Sequence, residues 1–225
     1  AVATATLLTG EIKTAGENAF GIYARHRGGG DAVVIMNGGT VTASGTNAHG
    51  IAARSEQGRV IVNVNAGTVT SGIGAAAGIL TVARAGGTID IAAAATINGA
   101  ASGIAINDGD FDRDGIDEIG GDIVVTTAGT VTGDAILGLG DDTFNLIGGL
   151  YTGSIYGDDR DYALSNDGLV NHEGNDTFNW TGGKLVGGFH GQDGSDVVSI
   201  ASGVDVSGLT LLDGGDDLTA GDGFI

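Results

Sequence analysis

The sequence predicts an all-β protein whose chain winds into a right-handed parallel β-helix of about eight coils, with two loop insertions. Three observations predict this fold: a segment that repeats along the chain, apolar residues spaced by two within each repeat, and 45 Gly among 225 residues without one Pro. A spacing of two places alternate side chains on one face of a strand, whereas a helix needs spacings of three and four. Frequent Gly is unfavourable inside helices. Right-handedness is expected from the strong bias of parallel crossover connections.

The repeats are visible by direct comparison. The segment VVIMNGGTVTASGTNAHGIAA matches VIVNVNAGTVTSGIGAAAGIL, and DTFNLIGGLYTGSIYG matches DTFNWTGGKLVGGFHG. Copies begin at Val33, Val60, Thr88, Asp122, Asp142, Asp176 and Asp196. Because one such unit cannot bury its apolar face alone, the units must stack on one another.

Each unit has three extended pieces separated by Gly or Ala, and we expect equivalent apolar residues to form interior columns. The first piece predicts one column of Val34, Val62, Ile89, Ile123, Phe144, Phe178 and Val198. Two residues further on, it predicts a second column of Met36, Val64, Ile91, Val125, Leu146, Trp180 and Ile200. The second piece supplies Val41, Val69, Ile97, Val131 and Leu185. The third piece supplies Ile22, Ile51, Ile79, Ile104, Ile136, Ile155, Phe189 and Leu209.

Charge divides the predicted domain, which we interpret as a single β-helix over residues 1–225 and as a fragment of a longer protein. Residues 1–105 carry five acids and six bases, a net charge of +1, whereas residues 106–225 carry 23 acids and three bases, a net charge of −20. The insertions fall in the acidic part, at about 108–121 and 157–173. Such a surface argues against nucleic acid as a partner and favours cations. A merely soluble acidic surface is the alternative.

The first insertion contains DGDFDRDGIDE and is expected to lie outside the coil. Its alternating carboxylates surround a tight turn at Gly115, so they can converge on one hard cation. The segment resembles the calcium loops of helix–loop–helix proteins and of integrin-type propellers. That resemblance implies calcium ligands among Asp108, Asp110, Asp112, Asp114, Asp117 and Glu118. Where the helix–loop–helix family has its closing Glu, this chain has Gly121, so Asp117 or Glu118 would have to complete the shell. A solvated acidic loop is the alternative.

A second acidic pattern recurs once per coil in GLGDDTF, EGNDTF, DGSDVV and DGGDDL. We expect its aspartates to stack about 4.8 Å apart on successive coils; they are Asp142, Asp176, Asp196 and Asp217. Adjacent bare charges at that distance repel by roughly 1 kcal/mol in water, and by more at a lower dielectric constant. Cations between the coils would remove this repulsion. Alternatively, the side chains cap turn amides and lie apart.

This recurring acidic pattern, which we expect at one corner of each coil, is similar to the repeats-in-toxin nonapeptide. In that nonapeptide, glycines form a turn and Asp binds calcium between coils. The match is partial, because this chain has one motif per coil of about 20 residues instead of consecutive nonapeptides. The resemblance implies Ca²⁺ as the bound ion at the corner aspartates.

The residues do not predict an enzyme. The four histidines share no metal-ligand spacing, and neither a G-x-S-x-G motif nor a Walker phosphate loop occurs. A carbohydrate lyase or hydrolase on this fold would need converging carboxylates, or an Arg or Lys, in a groove. The acidic half has the carboxylates but only three bases.

The coils of the form GTVT…G…GI, followed by GDDTFNL, GNDTFNW and LLDGGDD, resemble passenger domains of bacterial autotransporters, in particular the adhesin-like members. The resemblance covers nearly the whole chain. It implies a secreted or outer-membrane-anchored protein on the bacterial surface, with membrane anchoring only through regions outside this chain. It does not identify a ligand.

Three hypotheses follow. The first is a surface adhesin or stalk segment, calcium-stabilised, that contacts a glycan or matrix protein of a host or neighbouring cell, or associates with itself. Its insertions would present the contacts, and the aromatic and basic residues of the second insertion are the candidates: Tyr156, Arg160, Tyr162 and His172. The second hypothesis is a polysaccharide-acting enzyme, and the third is a purely structural spacer.

Overall fold

A computed structural model of the chain describes residues 1–109, 120–158, 174–192 and 194–214. These residues form an all-β structure of eighteen strands. In this part of the chain, no helix has the length and apolarity needed to span a lipid bilayer.

The strands are short in the first repeats, and several later ones continue through a turn. The first ten are β1 (Ala3–Leu7), β2 (Glu11–Thr14), β3 (Phe20–His26), β4 (Ala32–Met36), β5 (Thr40–Ala43), β6 (His49–Ser55), β7 (Val60–Thr70), β8 (Ile79–Ala83), β9 (Gly87–Asn98) and β10 (Ile104–Asp108). The remaining eight are β11 (Ile123–Thr127), β12 (Thr130–Thr132), β13 (Asp134–Ile136), β14 (Thr143–Thr152), β15 (Ile155–Tyr156), β16 (Thr177–His190), β17 (Val197–Ile200) and β18 (Leu209–Asp213).

The pairings between these strands are parallel, and each joins a strand to its counterpart in another repeat. They form three ladders. The first runs β1–β4–β7–β9–β11–β14–β16–β17. The second runs β2–β5–β7–β9–β12–β14–β16. The third runs β3–β6–β8–β10–β13–β15–β16–β18.

Most of the predicted interior columns are confirmed by the register of these ladders. In the first ladder, Val34 pairs with Val62 and Met36 pairs with Val64. In the second, the column is Ile12, Val41, Val69, Ile97, Val131, Tyr151 and Leu185. Every member of that column from Val41 onwards is fully buried. Equivalent side chains therefore lie over one another from repeat to repeat.

The predicted register is wrong by two residues in β11. Val125, not Ile123, pairs with Ile89 and Phe144, and Thr127, not Val125, pairs with Ile91 and Leu146. A shift of two keeps the same face of the strand inward, so apolar spacing alone cannot exclude it. The side chain of Thr127 is fully buried. Because Thr is polar, the sequence does not indicate that this position faces the interior.

The third column also differs from the prediction. Its members are Ile22, Ile51, Ile79, Ile106, Ala135, Ile155, Phe189 and Leu212. Ile104, Ile136 and Leu209 are therefore not in it. The register shifts between Ile104 and Ile106, and again between Gly187 and Gly188. Each irregularity places an extra residue in one strand, and the observed members lie one to three residues from the predicted ones, which the repeat pattern does not reveal.

One continuous apolar core follows the columns. It is built from Val, Ile and Ala in the first repeats and from aromatic residues in the later ones. Phe178 stacks on Phe189 with ring centroids 5.2 Å apart, and Phe144 meets Tyr151 edge-on at 5.4 Å. A second, smaller cluster on the other side of the third ladder includes Leu80, Ile104 and Ile136.

Candidate cation site at the aspartate corner

The corner aspartates lie at equivalent positions, as the sequence predicts. Asp142 immediately precedes β14, Asp176 precedes β16 and Asp196 precedes β17. The residues that follow them are paired in register, Thr143 with Thr177 and Thr177 with Val197. We call Asp142, Asp176 and Asp196 the aspartate corner.

One carboxylate oxygen of each corner residue caps a backbone amide of the preceding repeat. The Ile123 N–H donates to Asp142 Oδ1 at 2.7 Å. The Asp142 N–H donates to Asp176 Oδ1 at 2.8 Å, and the Asp176 N–H donates to Asp196 Oδ1 at 2.8 Å. Amide capping, the alternative raised by the sequence, is therefore what these three oxygens do. The side chains nevertheless remain in one column.

A second set of caps runs in the opposite direction, one residue earlier in each repeat. The Asp141 N–H donates to Asp122 Oδ1 at 3.2 Å, the Asn175 N–H donates to Asp141 Oδ1 at 2.9 Å, and the Ser195 N–H donates to Asn175 Oδ1 at 3.1 Å. Sequence reasoning missed this set. Its signal is the polar residue before each corner aspartate in GDD, GND and GSD.

The corner carboxylates are almost completely removed from solvent, with exposed fractions of 1–2%. Glycines make this burial possible. A Cβ on Gly157 would overlap Asp176 Oδ2, and a Cβ on Gly191 would overlap Asp196 Oδ2. The chain therefore passes so close to the carboxylates that any side chain at these two glycines would displace them.

Burial changes the proton affinity of the corner. Desolvation raises the pKa of Asp142 to about 11, and the hydrogen bond from Ile123 only partly opposes this; nearby Asp108, Asp176 and Asp158 raise it further. Desolvation likewise raises the pKa of Asp176 to about 7, with additional repulsion from Asp196. In the absence of a cation, the corner therefore favours the protonated, neutral form of Asp142 at neutral pH.

Two further buried aspartates contribute to the negative charge that raises the pKa of Asp142. Asp108 and Asp158 are each 1% exposed. Asp108 is the last residue of β10 and pairs with Thr81, so it does not belong to a loop outside the ladders, and that part of the prediction is wrong. The backbone N–H of Asp158 donates to Gln192 Oε1 at 3.0 Å, which ties it to the next repeat.

The second oxygens of the corner offer a place for a cation. Asp142 Oδ2 and Asp176 Oδ2 are buried and have no hydrogen-bond partner among the residues that the structure describes. Carboxylate oxygens of this kind are the ligands that Ca²⁺ takes in proteins. Within the described ranges, however, no three His, Cys, Asp or Glu side chains converge closely enough to hold a metal ion by themselves. A cation here would have to complete its shell with other oxygens, such as main-chain carbonyls or water.

Several predicted site residues lie outside the described residues and stay predictions. They are Asp110, Asp112, Asp114, Asp117, Glu118, Arg160, Tyr162, His172 and Asp217. Of the predicted ligand-contact residues, Tyr156 is described: it ends β15 and stacks on His190, with ring centroids 4.5 Å apart and an interplanar angle of 13°. It lies on the outer side of the third ladder, next to Ile155 of the interior column.

Comparison of the chain with protein-family models, with curated proteins and with solved structures finds no match.

Proposed function

We propose that this chain is a segment of right-handed parallel β-helix that serves as an adhesin or stalk on the surface of a bacterial cell. The observation that carries this proposal is the continuity of the interior columns through three parallel ladders. Eight successive rungs at about 4.8 Å extend roughly 38 Å. Repetition of this kind produces length, and its continuous outer faces present surface for a partner.

The hand of the proposed helix follows from the geometry of parallel crossovers. A strand that returns to pair in parallel with an earlier one does so right-handedly in about 98% of cases. Successive ladder strands here are joined through the other two ladders, so each repeat makes such a crossover.

Calcium is the second part of the proposal. Asp142 and Asp176 would each contribute Oδ2 to a cation at the aspartate corner, while Oδ1 continues to cap the amide of the preceding repeat. The ion would supply positive charge where desolvation and mutual repulsion disfavour bare carboxylates. Calcium concentrations outside cells suit such sites, which is consistent with an extracellular location.

The partner in this proposal is a glycan or matrix protein of a host or neighbouring cell, or a second copy of the chain. Nucleic acid is not expected, because the net charge of −19 repels a phosphate backbone. Attachment to the outer membrane would depend on regions outside this chain.

Thermal unfolding in calcium and in chelator tests the cation. Calcium at 100 times its dissociation constant should add about 2.7 kcal/mol per site to the free energy of unfolding. The double variant Asp142→Asn with Asp176→Asn should lose this increment, because the amides keep the capping oxygen but remove the charge. A matched control, Glu11→Gln with Asp90→Asn, should retain it. Identical melting of the unmodified protein in both buffers would show the calcium part to be wrong.

A binding screen tests the surface role independently. The purified chain should bind at least one member of a panel of glycans and extracellular-matrix proteins, or sediment as an oligomer. A chain that binds none of them and remains monomeric would be a structural spacer instead.

A further inference from the structure

A group of arginines occurs in and beside the first strands of the third ladder, in an otherwise acidic protein. Five of the nine Lys and Arg residues fall between positions 25 and 84, where only two acids occur, so this stretch has a net charge of +3. The five are Arg25, Arg27, Arg54, Arg59 and Arg84. Two of them line a cavity of about 440 Å³ together with Glu56 and Gln57. We call this cavity the arginine pocket.

The ladder register places the pocket residues side by side. Arg54 lies between the buried Ala53 and Ser55, so its side chain points to the opposite, outer side of β6. Ser55 and Ala83, the last residues of β6 and β8, are paired, and the residues that directly follow them, Glu56 and Arg84, line the pocket. The pocket therefore lies at the ends of two neighbouring strands, with Arg54 on β6 and the other three residues in the turns that follow β6 and β8.

The charges of the pocket are partly organised already. Arg25, which pairs with Arg54 in register, donates from Nη2 to Glu56 Oε1 at 3.0 Å. This ion pair, which is partly exposed, orients the Glu56 carboxylate towards Arg25. Arg84 is exposed and Arg54 is half-buried. Among the described residues that line the cavity, the acid Glu56 is engaged by Arg25, and the exposed Arg84 is the guanidinium that a ligand can reach.

We propose that the arginine pocket binds an acidic saccharide by the carboxylate of a uronic acid unit. The planar guanidinium fork matches a carboxylate in two parallel hydrogen bonds. Glu56 and Gln57 add acceptors and donors that suit sugar hydroxyl groups. The cavity volume lies within the range of small-ligand sites, about 300–1,000 Å³. The net charge of −19 repels a long polyanion strongly, whereas a short saccharide with few acid groups is repelled much less.

The test uses a trimer of galacturonic acid as the probe and a neutral galactose trimer as its matched control, with binding measured by calorimetry and NMR titration. The acidic trimer should bind, more weakly as salt is added, and the neutral trimer should not. Arg84→Gln should weaken binding about tenfold or more, since a charge-assisted hydrogen bond is lost. Arg27→Gln makes the same change of charge at an exposed arginine that does not line the pocket, and should leave binding within about twofold.

Three results would overturn this assignment: no binding of the acidic trimer, equal binding of both trimers, or equal losses in the two variants. Because Arg84 is exposed, its replacement should not alter the melting temperature, and unchanged melting verifies that the loss is local. Calcium dependence of unfolding is measured separately, so failure of this pocket and failure of the aspartate corner are distinguishable.

Discussion

Replacing Asp176 by Asn should make the free energy of unfolding of the calcium-free protein less dependent on pH. The folded pKa of Asp176 is about 7, against an ordinary value of 3.8. At about 1.4 kcal/mol for each tenfold change in proton affinity, the ionised carboxylate destabilises the fold by roughly 4 kcal/mol. Because the folded pKa is raised, stability is fully present below about pH 4 and is lost as the pH rises through about 7. Asn carries no such charge, so the variant should not lose this stability.

The assay is denaturant unfolding of both proteins in chelator, at about pH 4 and about pH 8. Burying the amide of Asn costs about 1–3 kcal/mol at either pH. The free energy of the variant relative to the unmodified protein should therefore improve by roughly 4 kcal/mol between the two pH values. Asp141→Asn, at the exposed residue that directly precedes Asp142, should change stability by less than about 1 kcal/mol at both pH values. If Asp176→Asn is equally destabilised at both pH values, the reasoning about its buried charge is wrong.

The remaining predictions concern packing, and both are checked by denaturant unfolding. Gly157→Ala should destabilise the protein by about 1–3 kcal/mol, because the new Cβ overlaps Asp176 Oδ2; Gly16→Ala, where the nearest atom is 3.7 Å away, should be nearly neutral. Trp180→Ala should cost about 3–5 kcal/mol by opening a cavity at a fully buried position, whereas the exposed Thr181→Ala should change little. Equal effects within either pair would contradict the packing described.

The sequence was sufficient to predict the ladders because apolar residues in each repeat recur at a spacing of two and because turn glycines mark where each repeat bends. Val41, Val69 and Ile97 illustrate this, since each follows a Gly–Thr pair or its Ala–Thr equivalent. The register of β11 could not be predicted in the same way, since a displacement of two residues preserves the face of every side chain. Thr127 occupies an interior position, although a polar residue such as Thr is expected at the surface.

The sequence predicts where the corner aspartates lie along each repeat, but it does not predict that they are buried. The stacking of Asp142, Asp176 and Asp196 follows from their place before each repeat. Their burial does not, because acidic residues are expected at the surface. The same expectation placed Asp108 outside the ladders, although it is 1% exposed at the end of a strand. What buries these carboxylates is close approach of glycine-containing backbone from other repeats, which no local pattern encodes.

The backbone amides that the corner aspartates cap have equivalents in earlier repeats, and these also need a hydrogen-bond acceptor. In the first repeats, main-chain carbonyls satisfy the equivalent amides: the Ala32 N–H donates to Arg59 O, the Val60 N–H to Gly86 O and the Gly87 N–H to Asp122 O, at 3.0–3.1 Å. The change occurs at β11, where a carboxylate oxygen takes over this task.

Amide capping alone does not explain why that side chain is charged. An Asn oxygen would cap an N–H equally well, and Asn175 does so in the neighbouring set of caps. At the three buried corner positions the chain instead has Asp, whose ionised side chain is costly to bury without a counter-charge. A carboxylate differs from an amide there in its second oxygen and its negative charge. Both suit a proton or a cation, and the Oδ2 atoms of Asp142 and Asp176, which have no hydrogen-bond partner in the described part of the chain, are where either would be held.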